Sequence, residues 1–242
     1  MNTQINITEN GTTTLATAGK YCDRNIDVNV EVASTDNHYD EFWNECQNNG
    51  KRTIYQYAFA GNGWSDKNFK PKYDIKCSSA TYIFGVSKIT NLKNILESCG
   101  VVLDMSNCTD ISSAFAMSAV TTVPKLDISS ATSTPSAFNY CWNLETIEEM
   151  VVSEKTVFSA STFKDCYALK NLTMSGTMAS NGLDLHWSTK LTHDSLMSII
   201  NCLADKTGDT STVWKVTFGS ENLSKLTAEE IKIANDKGWV IE

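Results

Sequence analysis

Apolar positions in the middle of this chain recur at a long period, not at the two-residue or 3.6-residue spacing of a single strand or helix. Phe115, Phe138 and Phe163, each preceded by a small residue (Ala114, Ala137, Thr162), follow one another at steps of 23 and 25 residues. Phe84 and Phe59 extend the series upstream at steps of 31 and 25. A second mark runs in phase: Leu103-Asp104-Met105-Ser106, Leu126-Asp127-Ile128-Ser129, Met150-Val151-Val152-Ser153 and Leu172-Thr173-Met174-Ser175, with a weaker copy at Tyr73-Asp74-Ile75-Lys76. A third follows the phenylalanines. Phe138-x-x-Cys141-x-x-Leu144-x-x-Ile147 returns as Phe163-x-x-Cys166-x-x-Leu169-x-x-Leu172, and a looser copy uses Ser118, Val120 and Val123. Marks that hold one phase through several copies indicate an internal repeat.

A unit of this length cannot bury its own apolar edge, so copies must stack, with Phe, Cys, Leu and Ile pointing inward onto their counterparts. The pattern predicts an α/β repeat fold: a leucine-rich-repeat-like solenoid with short parallel strands over residues 61–190, helical caps at both ends and a small N-terminal β unit. The repeat core is Phe115, Phe138, Cys141, Leu144, Ile147, Phe163, Cys166, Leu169 and Leu172. The polar run Ser129-Ser130-Ala131-Thr132-Ser133-Thr134 suits turns, where hydroxyls bond free backbone groups.

The flanks carry ordinary periodicities. Thr192 opens a predicted helix with Asp194 in its first turn, Leu196, Ile199, Ile200 and Leu203 on one face, and Lys206-Thr207-Gly208 at its end. Val213–Phe218 alternates like a strand. Thr227-Ala228-Glu229-Glu230 is a capping box, Gly238 suits the end of that second helix, and Trp239-Val240-Ile241 reads as a last strand. Residues 191–242 form a predicted C-terminal α/β cap. Residues 36–60 form an N-terminal one, with a helix over Tyr39–Cys46 stopped by Asn49-Gly50 and a strand over Ile54–Phe59. Residues 1–35 alternate with period two around an Asn10-Gly11 turn signal and predict a small β docking unit with unpaired edges.

Composition narrows the function. The formal net charge is −8 with no basic run, which argues against nucleic acid, whose binding needs clustered Lys and Arg, and against anionic membranes. No apolar stretch approaches the ~20 residues of a spanning helix. The polar start Met1-Asn2-Thr3-Gln4-Ile5-Asn6 lacks a secretory signal, which predicts cytoplasmic synthesis; a trimmed start leaves that open. The eight cysteines form no C-x-x-C pair and, with His38, His186 and His193 scattered, no zinc spacing. They read as mostly buried free thiols, and no metal or cofactor is expected.

The chain carries no nucleophile elbow, phosphate loop or dinucleotide fingerprint, so no catalytic residue is expected. Glu145, Glu148 and Glu149 read as a solvated face, and Cys141 and Cys166 as core. The aromatics are more informative. Tyr140, Trp142 and Tyr167 sit beside the Cys position where repeats face solvent, and Trp64 follows Gly61-Asn62-Gly63 at a repeat edge. Exposed rings stack on sugars or anchor protein interfaces. These four are the candidate ligand-binding residues; Trp187 is expected to tuck under the C-terminal helix.

The Phe138-x-x-Cys141-x-x-Leu144-x-x-Ile147 motif and its copies resemble the degenerate bacterial leucine-rich repeats of the BspA type, and Leu103-Asp104-Met105-Ser106-Asn107 and Leu126-Asp127-Ile128-Ser129-Ser130 resemble their mycoplasma variant. Ile7-Thr8-Glu9-Asn10-Gly11 with Leu15–Asp23 resembles an N-terminal module of Gram-positive phage and prophage proteins. Phe42–Glu45 through Phe69–Tyr73, and Leu191–Ile200, resemble stretches that accompany it. The resemblance implies a non-enzymatic tail, baseplate or fibre-type virion protein, synthesised in the cytoplasm and then virion-borne or extracellular. Its N-terminal unit would dock to virion or cell-surface proteins, and its repeats would bind a protein or glycan ligand. A BspA-type surface adhesin is the alternative, weakened by the lack of export or wall-anchoring signals; an enzyme acting on glycans is a third. Homo-oligomerisation stays open.

Overall fold

The computed structural model describes residues 4–9, 12–17 and 56–242. The chain divides into two compact units, Met1–Phe42 and Trp43–Glu242. In the first, β1 (Gln4–Glu9) and β2 (Thr12–Thr17) pair antiparallel, with Ile5 opposite Ala16 and Ile7 opposite Thr14. The predicted strand at Ile26–Val32 and the helix at Tyr39–Cys46 lie outside the described residues.

In the second unit, segments one repeat apart lie side by side in parallel. Strand β3 (Ile75–Lys76) pairs with β4 (Leu103–Asp104). Strands β5 (Thr122–Val123) and β6 (Leu126–Asp127) both pair with β7 (Thr146–Val152), which pairs in turn with β8 (Asn171–Gly176). Helix α1 (Leu92–Cys99) lies between β3 and β4 in sequence, buries Leu92 and Leu96, and ends on Gly100 in the left-handed conformation.

The predicted leucine-rich-repeat-like solenoid with helical caps at both ends is corrected by this arrangement. Among the described residues, regular pairing is broken into separate small sheets of two to four strands, and helices are few. The reason lies in where the backbone bonds go. In Ile111–Ser118 the N–H groups of Ala114, Ala116 and Ser118 each close a local turn, onto the carbonyls of Ile111, Ser113 and Phe115 at 3.0 Å. The alternate N–H groups of Ile111, Ser113, Phe115 and Met117 reach the carbonyls of Ser133, Pro135, Ala137 and Asn139, at 3.0, 2.9, 2.7 and 2.8 Å. Three donors are spent within the segment and that of Ser112 on the Asp110 carboxylate, so no ladder extends into a strand. Ser113 and Met117, two residues either side of Phe115, take positive φ of 55° and 56°, as do Ser136 and Tyr140 around Phe138 at 58° each. Such a backbone is neither helix nor sheet. Helix α1 falls within the step that stretches to 31 residues, from Phe84 to Phe115, and the β3–β4 pair forms a sheet of its own.

The phenylalanines form the centre. Phe59, Phe84, Phe115, Phe138 and Phe163 are each at most 1% exposed. Successive ring centroids are 5.2, 5.2, 5.0 and 5.2 Å apart, with interplanar angles falling from 25° to 14°, 3° and 1°. Cys141, Leu144, Ile147, Cys166, Leu169 and Leu172 are fully buried beside them. The thiol of Cys141 donates to the Phe115 carbonyl at 2.9 Å and that of Cys166 to the Phe138 carbonyl at 3.0 Å, so the small residue ties each segment to the one before it. The motif has a further copy that the sequence reading missed, Leu185-x-x-Ser188-x-x-Leu191, all three buried and closed by the same spaced turns.

Past β8 a helix takes the place of a strand. Helix α2 (His193–Cys202) starts on Thr192, whose hydroxyl accepts the Ser195 N–H. Ser195 and Ser198, one turn apart, accept the edge N–H groups of Leu172 and Met174 at 3.0 and 3.1 Å. Two hydroxyls thus satisfy donors that another strand would have taken, which matters because a buried unpaired N–H costs roughly 1–3 kcal/mol. The helix ends at Cys202, earlier than the predicted Lys206–Gly208, because Cys202 and Ala204 bond both sides of Met178. Strand β9 (Trp214–Val216), the short helix α3 (Ser220–Leu223), helix α4 (Ala228–Asp236) and strand β10 (Trp239–Ile241) complete the chain. Strands β9 and β10 pair parallel, and Thr227 with Glu230 closes the predicted capping box. The expected strand over Ile54–Phe59 is corrected where it is described: residues 56–59 form a turn.

Candidate functional site

Two residues beyond each stacked phenylalanine the backbone turns through positive φ. Tyr140 follows Phe138 with φ 58° and is half-buried. Its counterpart one repeat later, Asp165, has φ 61° and is 6% exposed. Two residues further on, Trp142 is 59% exposed, and its counterpart Tyr167 is 45% exposed. These two exposed rings therefore occupy equivalent positions in adjacent segments, whose phenylalanines are 5.2 Å apart.

Side-chain contacts hold these rings in place. Tyr140 and Trp142 meet edge to face at 5.9 Å, and Lys164 from the next segment stands 5.9 Å above the Tyr140 ring. The Tyr167 hydroxyl donates to the Asp165 carboxylate, a bond that raises the phenol pKa above its ordinary value by favouring the neutral form. Tyr167 in turn meets Trp187 edge to face at 5.9 Å. Trp187 lies 4.3 Å from the His186 ring, and His186 Nδ1 is 2.6 Å from Asp184. The result is a strip of half-exposed rings, Tyr140, Trp142, Tyr167 and Trp187, interleaved with the carboxylates Asp165 and Asp184. Met117, 47% exposed, precedes Tyr140 by one repeat at the same backbone position.

Three of the four predicted ligand residues, Tyr140, Trp142 and Tyr167, lie on this strip. The fourth is corrected. Trp64 is 8% exposed and packs edge to face on Phe59 at 5.3 Å and Phe69 at 5.9 Å, as part of the core behind the first phenylalanines. The glycines before it loop the chain inward rather than presenting the ring. Trp187, expected beneath the C-terminal helix, contributes to the strip instead. Its place was open to recognition, since Leu185-x-x-Ser188 puts it at the position that Tyr140 holds before Cys141.

Nothing else in the described residues resembles a reaction centre. The thiol of Cys141 is pushed up to about 12 by burial, so it is no nucleophile at neutral pH. Each carboxylate of the predicted solvated face has a lysine: Glu145 with Lys170 at 3.1 Å, Glu149 with Lys125 at 2.9 Å, and Glu148 with Lys93. Lys93 and Glu148 flank a polar cleft of about 290 Å³ between α1 and the start of β7, also lined by Thr121, Thr122 and Thr146. Among the described residues no group of three His, Cys, Asp or Glu side chains is placed to hold a metal ion, and no helix is long and apolar enough to cross a membrane.

Comparison with known proteins returned no matching family model, no matching curated protein and no matching solved structure.

Proposed function

We propose that this chain is a non-enzymatic recognition protein of a phage or prophage virion, its N-terminal β unit docking to the particle and its aromatic strip binding a ligand on the host surface. The observation that carries the recognition half is the pair Trp142 and Tyr167. Large aromatic side chains are usually withdrawn from water, and here two stand about half exposed at matching positions, braced by Tyr140 and Trp187. Rings held rigidly lose little side-chain entropy on binding, which suits them as anchors. Asp165 is buried and braces Tyr167, while the part-exposed Asp184 carboxylate offers a hydrogen-bond acceptor to a polyhydroxylated or amide-bearing partner. The virion half follows from the resemblance of residues 7–23 to phage modules.

The test uses the full chain and purified envelopes of Gram-positive cells. Sedimentation of the protein with the envelopes is expected, and the double variant Trp142→Ala/Tyr167→Ala is expected to lose at least tenfold in apparent affinity with its thermal unfolding unchanged. Equal binding by a folded double variant would remove the strip from the function.

A further inference from the structure

The parallel register of β3 and β4, Ile75 beside Leu103 and Lys76 beside Asp104, carries the residues that follow into contact. There Cys77 and Cys108 meet. Their sulfur atoms are 3.0 Å apart, nearer than two unbonded sulfurs ordinarily settle, against about 2.0 Å in a disulfide. Cys108 is fully buried and Cys77 is 5% exposed. Both are free thiols. The Cys108 thiol also lies 2.9 Å from the Cys77 carbonyl, the same kind of contact that Cys141 and Cys166 make with phenylalanine carbonyls; the pair differs from them in having a second sulfur alongside.

We propose that Cys77 and Cys108 form a peroxide-oxidisable pair that closes into an intrachain disulfide, a covalent modification site joining two neighbouring repeat segments. The chemistry is balanced by hydrogen peroxide as the oxidant. The Cys77 thiolate attacks one peroxide oxygen, the O–O bond breaks, and the hydroxide that leaves takes up a proton to become water. Cys77 is then a sulfenic acid. The Cys108 sulfur attacks the Cys77 sulfur, the S–O bond breaks, and the hydroxyl leaves with the Cys108 proton as a second water. Two thiols are oxidised and one peroxide is reduced. The contact itself assigns the roles: hydrogen bonding from Cys108 lowers the Cys77 pKa, while the same contact together with burial raises that of Cys108. The slight exposure of Cys77 admits a small oxidant such as peroxide more readily than a bulky disulfide.

The position of the link gives it a consequence. The two cysteines are 31 positions apart, and the chain between them contains Phe84 and α1. A cross-link stabilises mainly by restricting the unfolded chain, and more so for a longer loop. The pair stays reduced in a reducing compartment and closes in an oxidising one.

The experiment treats the full chain with hydrogen peroxide, unfolds it, alkylates the remaining thiols and maps the peptides by mass spectrometry. A Cys77–Cys108 linked peptide is expected, reversible by a thiol reductant, with Cys141 and Cys166 still alkylated. The oxidised chain is also expected to melt several degrees higher than the reduced one, a difference absent from Cys108→Ser. Complete alkylation of Cys77 and Cys108 after oxidation would overturn the proposal, as would an irreversibly oxidised Cys77 without a link. The peptide map decides by itself if the serine variant does not fold.

Discussion

The chain carries two columns of aromatic rings, built by the same repeat and only a few residues apart, with opposite fates. Phe115, Phe138 and Phe163 stack face to face at the centre with no exposure. Tyr140, Trp142 and Tyr167 stand on the outer side of the same turns, and their ring contacts are edge to face. The difference is made by the backbone. Left-handed residues on either side of Phe115 and Phe138, and after Phe163, reverse the chain, so that Phe138 points in, Tyr140 turns out, Cys141 returns and Trp142 leaves again. Ring chemistry does not decide burial here; the position within the turn does.

The largest effect should come from breaking the inner column. Phe138→Ala removes a ring stacked on both sides, and a buried Phe→Ala change costs about 3–5 kcal/mol. Urea unfolding should show that loss, whereas Phe138→Leu should retain a substantial part of the stability. Met117→Gly tests the reversal itself. A left-handed non-glycine residue costs ~1–2 kcal/mol, and glycine returns part of that through its more mobile unfolded state, so a gain of roughly 0.5–1 kcal/mol is expected. A net loss would mean that the Met117 side chain holds the turn more firmly than its exposure suggests. Trp142→Ala should lie within about 0.5 kcal/mol of the parent in stability, as for an exposed surface position, while weakening envelope binding. A large stability loss there would make the outer strip structural. The smallest effect is chemical and leaves the sequence intact. In the native chain at pH 8, iodoacetamide should modify exposed Cys99 and spare Cys141 and Cys166, whose pKa values burial holds far above that pH. Alkylation of Cys141 without unfolding would show that the inner column opens.

Several parts of this molecule were legible because they depend on neighbours in sequence. The caps at Thr192 and Thr227 are local hydrogen-bond patterns, and both are present. The inward set from Phe115 to Leu172 was legible because stacking copies must repeat the residues that touch. Helix α1 was missed although Leu92 and Leu96 stand one turn apart ahead of Gly100, because its few apolar positions were absorbed into an irregular repeat step. Trp64 was misplaced for a different reason: a glycine-rich approach is compatible with a ring turned either way, and only Phe59 and Phe69 determine which.

The sequence by itself determined which residues lie inside, since periodic apolar positions have one economical way to escape water, and it marked where the terminal helices begin. Tertiary structure alone decided how backbone donors are shared between local turns and neighbouring segments, and hence that pairing breaks into short separate sheets. It also decided that Ser195 and Ser198 finish the edge of β8, that Trp187 joins Tyr167 on the surface, and that Cys77 meets Cys108. Each of these is a contact between residues more than a dozen positions apart, set by the register of segments that no local pattern records.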